Sequence, residues 1–272
     1  MRPASSFVNR LAGLRQHGSV TLRKEGRIAW LTLHNQERRN ALTGPMMVQL
    51  AGAVSELEHW KEGAAVILTG DGGTFCAGLD LSCVRSGVIA SPEDGMLMSQ
   101  YMTETLYRLR QLPLLSVAAV DGYGIGGGAE LSTATDWRVM SQGATLRFVH
   151  AKMGATTGWG GGARLVSLVG RSTALRLLAH GTALDAAAAA AIGLCDGIGE
   201  TDETAAAAAL RLLVEPALVH SASVESLRAI KAAIAGASNI PEAVRAEETS
   251  AVGLVWGSDA NRTAVGPGNK RV

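Results

Sequence analysis

The densest chemistry in this chain is the stretch Asp121-Gly122-Tyr123-Gly124-Ile125-Gly126-Gly127-Gly128-Ala129-Glu130, where a glycine run ends on a carboxylate. Residues 114–120 before it form a short apolar run rich in strand formers, and residues 129–135 open a helix. Strand, glycines and helix in that order aim main-chain N–H groups at one point. Glycine lets the backbone approach a ligand closely, and the first amides of a helix have no partner within it. Such a point suits an oxygen on which negative charge develops.

A second turn of the same kind, Thr74-Phe75-Cys76-Ala77-Gly78-Leu79-Asp80, follows the apolar strand candidate 64–69. With both turns at one end of a sheet, one N–H from each would hold the oxygen of a thioester carbonyl as it becomes an enolate. That arrangement favours the transition state over the substrate, because the charge reaches the oxygen only as reaction proceeds. Losing one such donor costs ~3 to 4 kcal/mol.

Gly122, Gly124 and Gly127 also spell GxGxxG, a dinucleotide-binding turn. That reading needs an acidic residue about 20 residues on to hold a ribose. No Asp or Glu stands between Asp136 and Asp185, whereas Arg138, Arg147, Lys152, Arg164, Arg171 and Arg176 all do. Tight packing of a helix on a sheet explains some of the glycines, but not the Glu130 that follows them.

Other site chemistries have little to stand on. Cys76, Cys83 and Cys195 are odd in number and lack a metal spacing, so they read as small reduced side chains. His17, His34, His59, His150, His180 and His220 are scattered, with no HExxH, so no metal is expected. A GxSxG nucleophile elbow is absent. The near-neutral charge of +1 argues against nucleic acid or a membrane surface as partner. No apolar run reaches the ~18 residues of a membrane span.

The 272 residues, 47% hydrophobic, suffice for one large domain or a domain with an appendage. Arg2, Arg10, Arg15, Arg23 and Lys24 precede the first acid, Glu25, as in a mitochondrial transit peptide. Phe7, Leu11 and Leu14 nevertheless fall at helical spacing. Residues 19–22 and 28–33 read as paired strands, and 43–60 and 96–109 as helices. Strand and helix signals alternate to about Leu165, after which helices take over. The alanine runs 186–191 and 205–209 are strong helix formers without chemical content, and Gly193 is placed to end the first.

Taken in order, residues 35–42 (ending Asn40-Ala41-Leu42), 75–80, 122–130, Asp136, 159–165, Leu184-Asp185 and Gly193-Leu194 resemble the crotonase superfamily, the enoyl-CoA hydratase and isomerase fold. The resemblance runs from about Ser19 to about Trp256. It implies an α/β fold, a spiral of ββα units with two roughly perpendicular sheets and a C-terminal helical trimerisation region. An extension over 1–18, a spiral core over 19–170 and a helical region over 171–272 follow from it, in a homotrimer or hexamer. It further implies oxyanion donors at the amides of Leu79 and Gly127, with Glu130 in one of the two glutamate positions used for hydration. Coenzyme A would bend over the first two turns, touching Arg38, Arg39, Ala41, Ala77, Asp80 and Leu81. Ser82 stands where many members carry a lysine. No metal or organic cofactor is needed, since the thioester is the electron sink.

His150 occupies the second glutamate position, so the carboxylate pair that handles water is broken. Residues 147–150, 158–161, 226–228 and 255–257 are similar to the cytosolic branch that decarboxylates ethylmalonyl-CoA and methylmalonyl-CoA. Decarboxylation needs an electron sink and no base for carbon deprotonation. The expected roles are Glu130 kept protonated by burial as proton donor or carboxylate partner, His150 orienting the carboxylate, and Trp159 with Gly126 walling the pocket. Water is a second proton source, a hydratase or isomerase the alternative activity, and a non-catalytic binding protein the third reading. The cytosol is the expected location and the mitochondrial matrix the alternative.

Overall fold

A computed structural model describes residues 5–221, 223–238 and 240–266; Arg2 lies outside them. The chain builds a six-stranded sheet of order β1-β2-β3-β4-β6-β9 and a three-stranded sheet of order β5-β7-β8. Strands β1 (Ser19–Glu25) and β2 (Ile28–His34) form an antiparallel hairpin whose turn uses Gly26 at φ 57°. From β2 the sheet continues parallel through β3 (Ala65–Gly70), β4 (Leu115–Val120), β6 (Trp137–Met140) and β9 (Gly197–Ile198).

Both faces of this sheet are covered, which explains the unbroken apolar runs that mark its strands. Val66, Leu68, Ala118 and Val120 enter one core with the helices Gly44–Glu58 and Pro92–Gln111. Ala65, Ile67, Val117 and Ala119 point the other way, onto the helix Ala205–Ala209 and Val214. The alternation is the two-residue period of a strand.

The helices begin where their caps dictate. Thr43 Oγ1 accepts from the Met46 amide ahead of Gly44–Glu58, and Ser91 and Asp94 form a reciprocal capping box ahead of Pro92–Gln111. At the amino end, Phe7 and Leu11 of helix Ser5–Ala12 are fully buried in the main core. Beyond Gly170, where helices alone were expected, the chain also lays down β8 (Ala183–Asp185) and β9. These strands are three and two residues long, too short to show a periodic pattern.

One difference shapes the site. The glycine run is no single turn: after β4 the chain crosses at Asp121-Gly122 to the second sheet. There Tyr123–Ile125 forms β5, pairing with β7 (Thr145–Arg147). The turn proper is Gly126, at φ 55° and ψ −120°, and the helix Gly127–Ser132 starts directly after it.

Candidate active site

The first sequence block, Asn35 to Leu42, is the scaffold of the Leu79 turn. Asn40, fully buried, accepts from the Asn35 amide and donates to the carbonyls of Asp71 (2.8 Å) and Thr74 (2.6 Å). Leu42 then brackets Leu79 on both sides, its N–H donating to Gly78 O at 2.7 Å and its carbonyl accepting from Asp80 N at 2.9 Å. The turn is tied to the second sheet where Cys76 N donates to Tyr123 O and Cys76 O accepts from Ile125 N. Both donors that matter, the amides of Leu79 and Gly127, have no protein acceptor among the described residues.

The two turns touch. A methyl group added to Gly78, which sits at φ 90°, would lie 2.9 Å from Gly127 N and 2.9 Å from Ile125 O. Only glycine allows that approach and that dihedral. Leu79 and Gly127 accordingly line one cavity of about 480 Å³ with Gly126 and His150.

Glu130 is elsewhere. It is 2% exposed and does not line the cavity. Its Oε1 faces His150 Nε2 at 2.8 Å and accepts from Gly158 N at 3.2 Å, while Oε2 accepts from Trp159 N (2.8 Å) and Gly161 N (2.9 Å). Burial acts to raise its pKa. The charge and hydrogen bond of His150, the Trp159 amide and Arg164 outweigh burial and hold Glu130 below the usual carboxylate range. This corrects the expectation of a protonated Glu130: the donors converging on it favour the anion, so it is an ionised anchor beneath the site.

His150 sits between that anchor and the cavity. It is buried, its Nε2 is committed to Glu130, and its Nδ1 is buried without a partner among the described residues. Trp159 is 2% exposed and does not line the cavity either. Its indole N–H donates to Met98 Sδ at 3.0 Å, and its ring supports Gly127, where an added methyl would meet it at 2.7 Å. Trp159 therefore supports the Gly127 turn from below.

At the outer part of the cavity stand Arg38, Arg39, Ala41, Ala77, Asp80 and Leu81, all of them anticipated. Sequence reasoning missed Arg85, which also lines it. Ser82–Arg85 is a single helical turn, so Arg85 lies on the same face as Ser82 and brings a cation to the region where Ser82 has none. It also missed Trp256, Asn261 and Val265, which reach the cavity from the C-terminal helices. Asn261 is fixed by donating to Met153 O at 3.0 Å and accepting from Gly257 N at 3.0 Å.

The cysteines carry no nucleophilic chemistry. Burial pushes the Cys76 thiol up to about 12 and the Cys83 thiol up to about 11. Among the described residues no cluster of His, Cys, Asp or Glu could hold a metal.

Touching glycine turns with two unpaired amides, ahead of a helical C-terminal region, are now matched by similarity to known proteins. The profile of the family described as enoyl-CoA hydratase/isomerase covers residues 23–249. This chain belongs to the enoyl-CoA hydratase/isomerase family. Within it, the chain is similar to an ethylmalonyl-CoA decarboxylase of Danio rerio, with 44% identity over 91% of this chain and 83% of that one. An ethylmalonyl-CoA decarboxylase of Gallus gallus is 42% identical over 91% of this chain and 83% of its own length. Among solved structures, a Thermobifida fusca protein in complex with acetoacetyl-CoA has a TM-score of 0.71 and 28% identity, covering 97% of both chains. The crotonase-type spiral, with two sheets and C-terminal helices, is thus the enoyl-CoA hydratase/isomerase fold.

Proposed function

We propose that this chain decarboxylates a malonyl-type acyl-CoA, ethylmalonyl-CoA and also methylmalonyl-CoA, to the saturated acyl-CoA. One observation carries the reading. The cavity with the two unpaired amides presents an imidazole, while buried Glu130 and half-buried Glu248 both lie outside it and are spent on main-chain amides. Hydration needs paired groups to activate water and deliver a proton. Decarboxylation needs only a place for the electrons.

The thioester oxygen accepts from Leu79 N–H and Gly127 N–H, and the substrate carboxylate lies toward His150. As the bond between the carboxylate carbon and the α carbon breaks, its electron pair moves through the α carbon onto that oxygen. Neutral carbon dioxide leaves and the enolate remains. One proton then adds to the α carbon. His150, its Nε2 held by Glu130, orients the carboxylate, and it or water delivers that proton. Because the thioester is the electron sink, the reaction needs no cofactor. Arg38, Arg39 and Arg85 take the phosphates of coenzyme A.

Exposed Ile230 and Ile234 (61% each) and Leu254 (84%) support assembly as a homotrimer or hexamer through the C-terminal helices. The packing of Phe7 and Leu11 supports a cytosolic protein whose amino-terminal helix belongs to its fold. Incubation of the purified protein with ethylmalonyl-CoA, methylmalonyl-CoA and crotonyl-CoA, each product followed by mass, tests the reading. Turnover of crotonyl-CoA alone would replace it with a hydratase.

A further inference from the structure

Behind the floor of the active site, on the side away from the cavity, three arginines and a threonine converge, and some of their polar atoms have no partner among the described residues. Arg110, Arg164, Arg245 and Thr103 enclose a small chamber together with Tyr107 and Gly160. Arg164, 2% exposed, uses Nε on Thr133 Oγ1 and Nη2 on the carbonyls of Glu130 and Trp159. Its Nη1 donates in no hydrogen bond among the described residues and lies beside Thr103, as both would crowd a methyl added to Gly160, at 2.7 Å for Nη1 and 3.6 Å for Thr103 Oγ1. Thr103, 5% exposed, has its hydroxyl buried and unpartnered. Arg245, stacked on Tyr107 at 3.8 Å, has its Nη1 buried and unpartnered.

The nearby carboxylates are already engaged. Glu130 is held by His150, Trp159 and Gly161, and Glu248 receives the amides of Gly162 and Ala163. Asp136 is taken by Lys231 and Ser116. Burial brings Arg164 down to about 10 against the opposing charges of Glu130 and Glu248, and the neighbouring Arg110 lowers it further.

A buried unpaired donor costs about 1 to 3 kcal/mol, more when charged, so this chamber is an unfinished bonding arrangement. The space left admits the centre of a water-sized sphere over about 10 Å³, enough for one small occupant. Gln111 and Ser238 line it too and can serve a water's hydrogens, but water brings no charge to set against the guanidiniums. A monatomic anion brings only acceptor capacity and a compensating charge.

We propose that this chamber is a binding site for one small monovalent anion of halide size, held by Arg164 Nη1, Arg245 Nη1 and Thr103 Oγ1. The ion bolts the C-terminal helix Glu242–Val255 and the helix Pro92–Gln111 to the floor, because Arg164 in turn grips the main chain of Glu130 and Trp159. Occupancy therefore stabilises the fold and the geometry beneath the oxyanion turn.

The test uses the intact protein in sodium gluconate, titrated with sodium chloride at constant ionic strength and followed by thermal unfolding. A saturable rise in Tm of about 5 °C is expected at full occupancy, and sodium bromide should reproduce it. Arg245→Met should abolish the chloride-dependent rise, and Thr103→Val, a nearly isosteric change, should weaken it if the first variant fails to fold. Crystals soaked in bromide should show an anomalous peak between Arg164 and Arg245. Identical Tm values in gluconate and chloride, or a water in that position, overturn the proposal. So does a bromide peak with no effect on Tm, which marks an adventitious ion only. None of these readouts depends on which acyl-CoA is turned over.

Discussion

Glu130 Oε1 and His150 Nε2 lie 2.8 Å apart, both side chains buried, and of the two only the imidazole reaches the cavity. The carboxylate lies outside the cavity and faces the imidazole that lines it.

Glu130→Gln replaces an anion by an amide whose NH₂ must face either His150 or the donating amides of Trp159 and Gly161. Stability should fall by about 3 to 5 kcal/mol, the cost of breaking a buried charge pair, and turnover with it. Parent-like unfolding and activity would remove Glu130 from the framework.

Acid stability follows from the same residue. Its folded-state pKa lies below the ordinary value, so its stabilisation is fully present above about 4.3 and is lost as pH falls through the depressed folded value. Between pH 5 and pH 2 the parent should lose stability more steeply than Glu130→Gln in denaturant titrations. Parallel curves would contradict an ionised Glu130.

His150→Ala tests the imidazole. Loss of a positioned acid should lower kcat by roughly 10²-fold, with coenzyme A binding by calorimetry unchanged because the arginines that take its phosphates are untouched. If kcat and KM both match the parent, His150 is a packing residue.

Gly127→Ala places a methyl 2.7 Å from the Trp159 ring and must displace the amide proposed to hold the oxyanion. A fall in kcat of about 10²-fold or more is expected. Pairing the change with a smaller residue at Trp159 should recover part of it; no recovery would argue against the steric account.

Arg85→Ala should raise KM several-fold and leave kcat alone, and the difference from the parent should shrink as salt rises, since an exposed cation is screened. Adding Ser82→Lys should restore KM. An unchanged KM would place the phosphates elsewhere.

What could be read in advance was local. The Leu79 and Gly127 turns, the Asn40 block and the paired strands β1 and β2 each announce themselves through glycines, small residues or alternation within a few positions. What escaped is non-local. Nothing near Glu130 in the chain reveals that Gly158, Trp159 and Gly161, some thirty positions on, would turn their amides to it, or that His150, with the Trp159 amide and Arg164, would outweigh burial. Arg85 was hidden because attention fell on Ser82, whereas a helix presents residues three apart on one face. Trp256 lies in the resembling stretch 255–257 but was given no place in the site, and Asn261 and Val265 belong to a helix without a motif, whose face toward a distant cleft is decided by packing rather than by period.

Those three residues give biosynthesis an order. The glycine turns, the imidazole and the arginines that line the cavity are all made before Trp256, Asn261 and Val265, so the chamber is walled only after its polar groups exist. A translation product cut short near residue 250 would keep the sheets and the reacting groups but leave them open to water. Frameshifts late in the reading frame should thus be as damaging to the chemistry as changes in its centre.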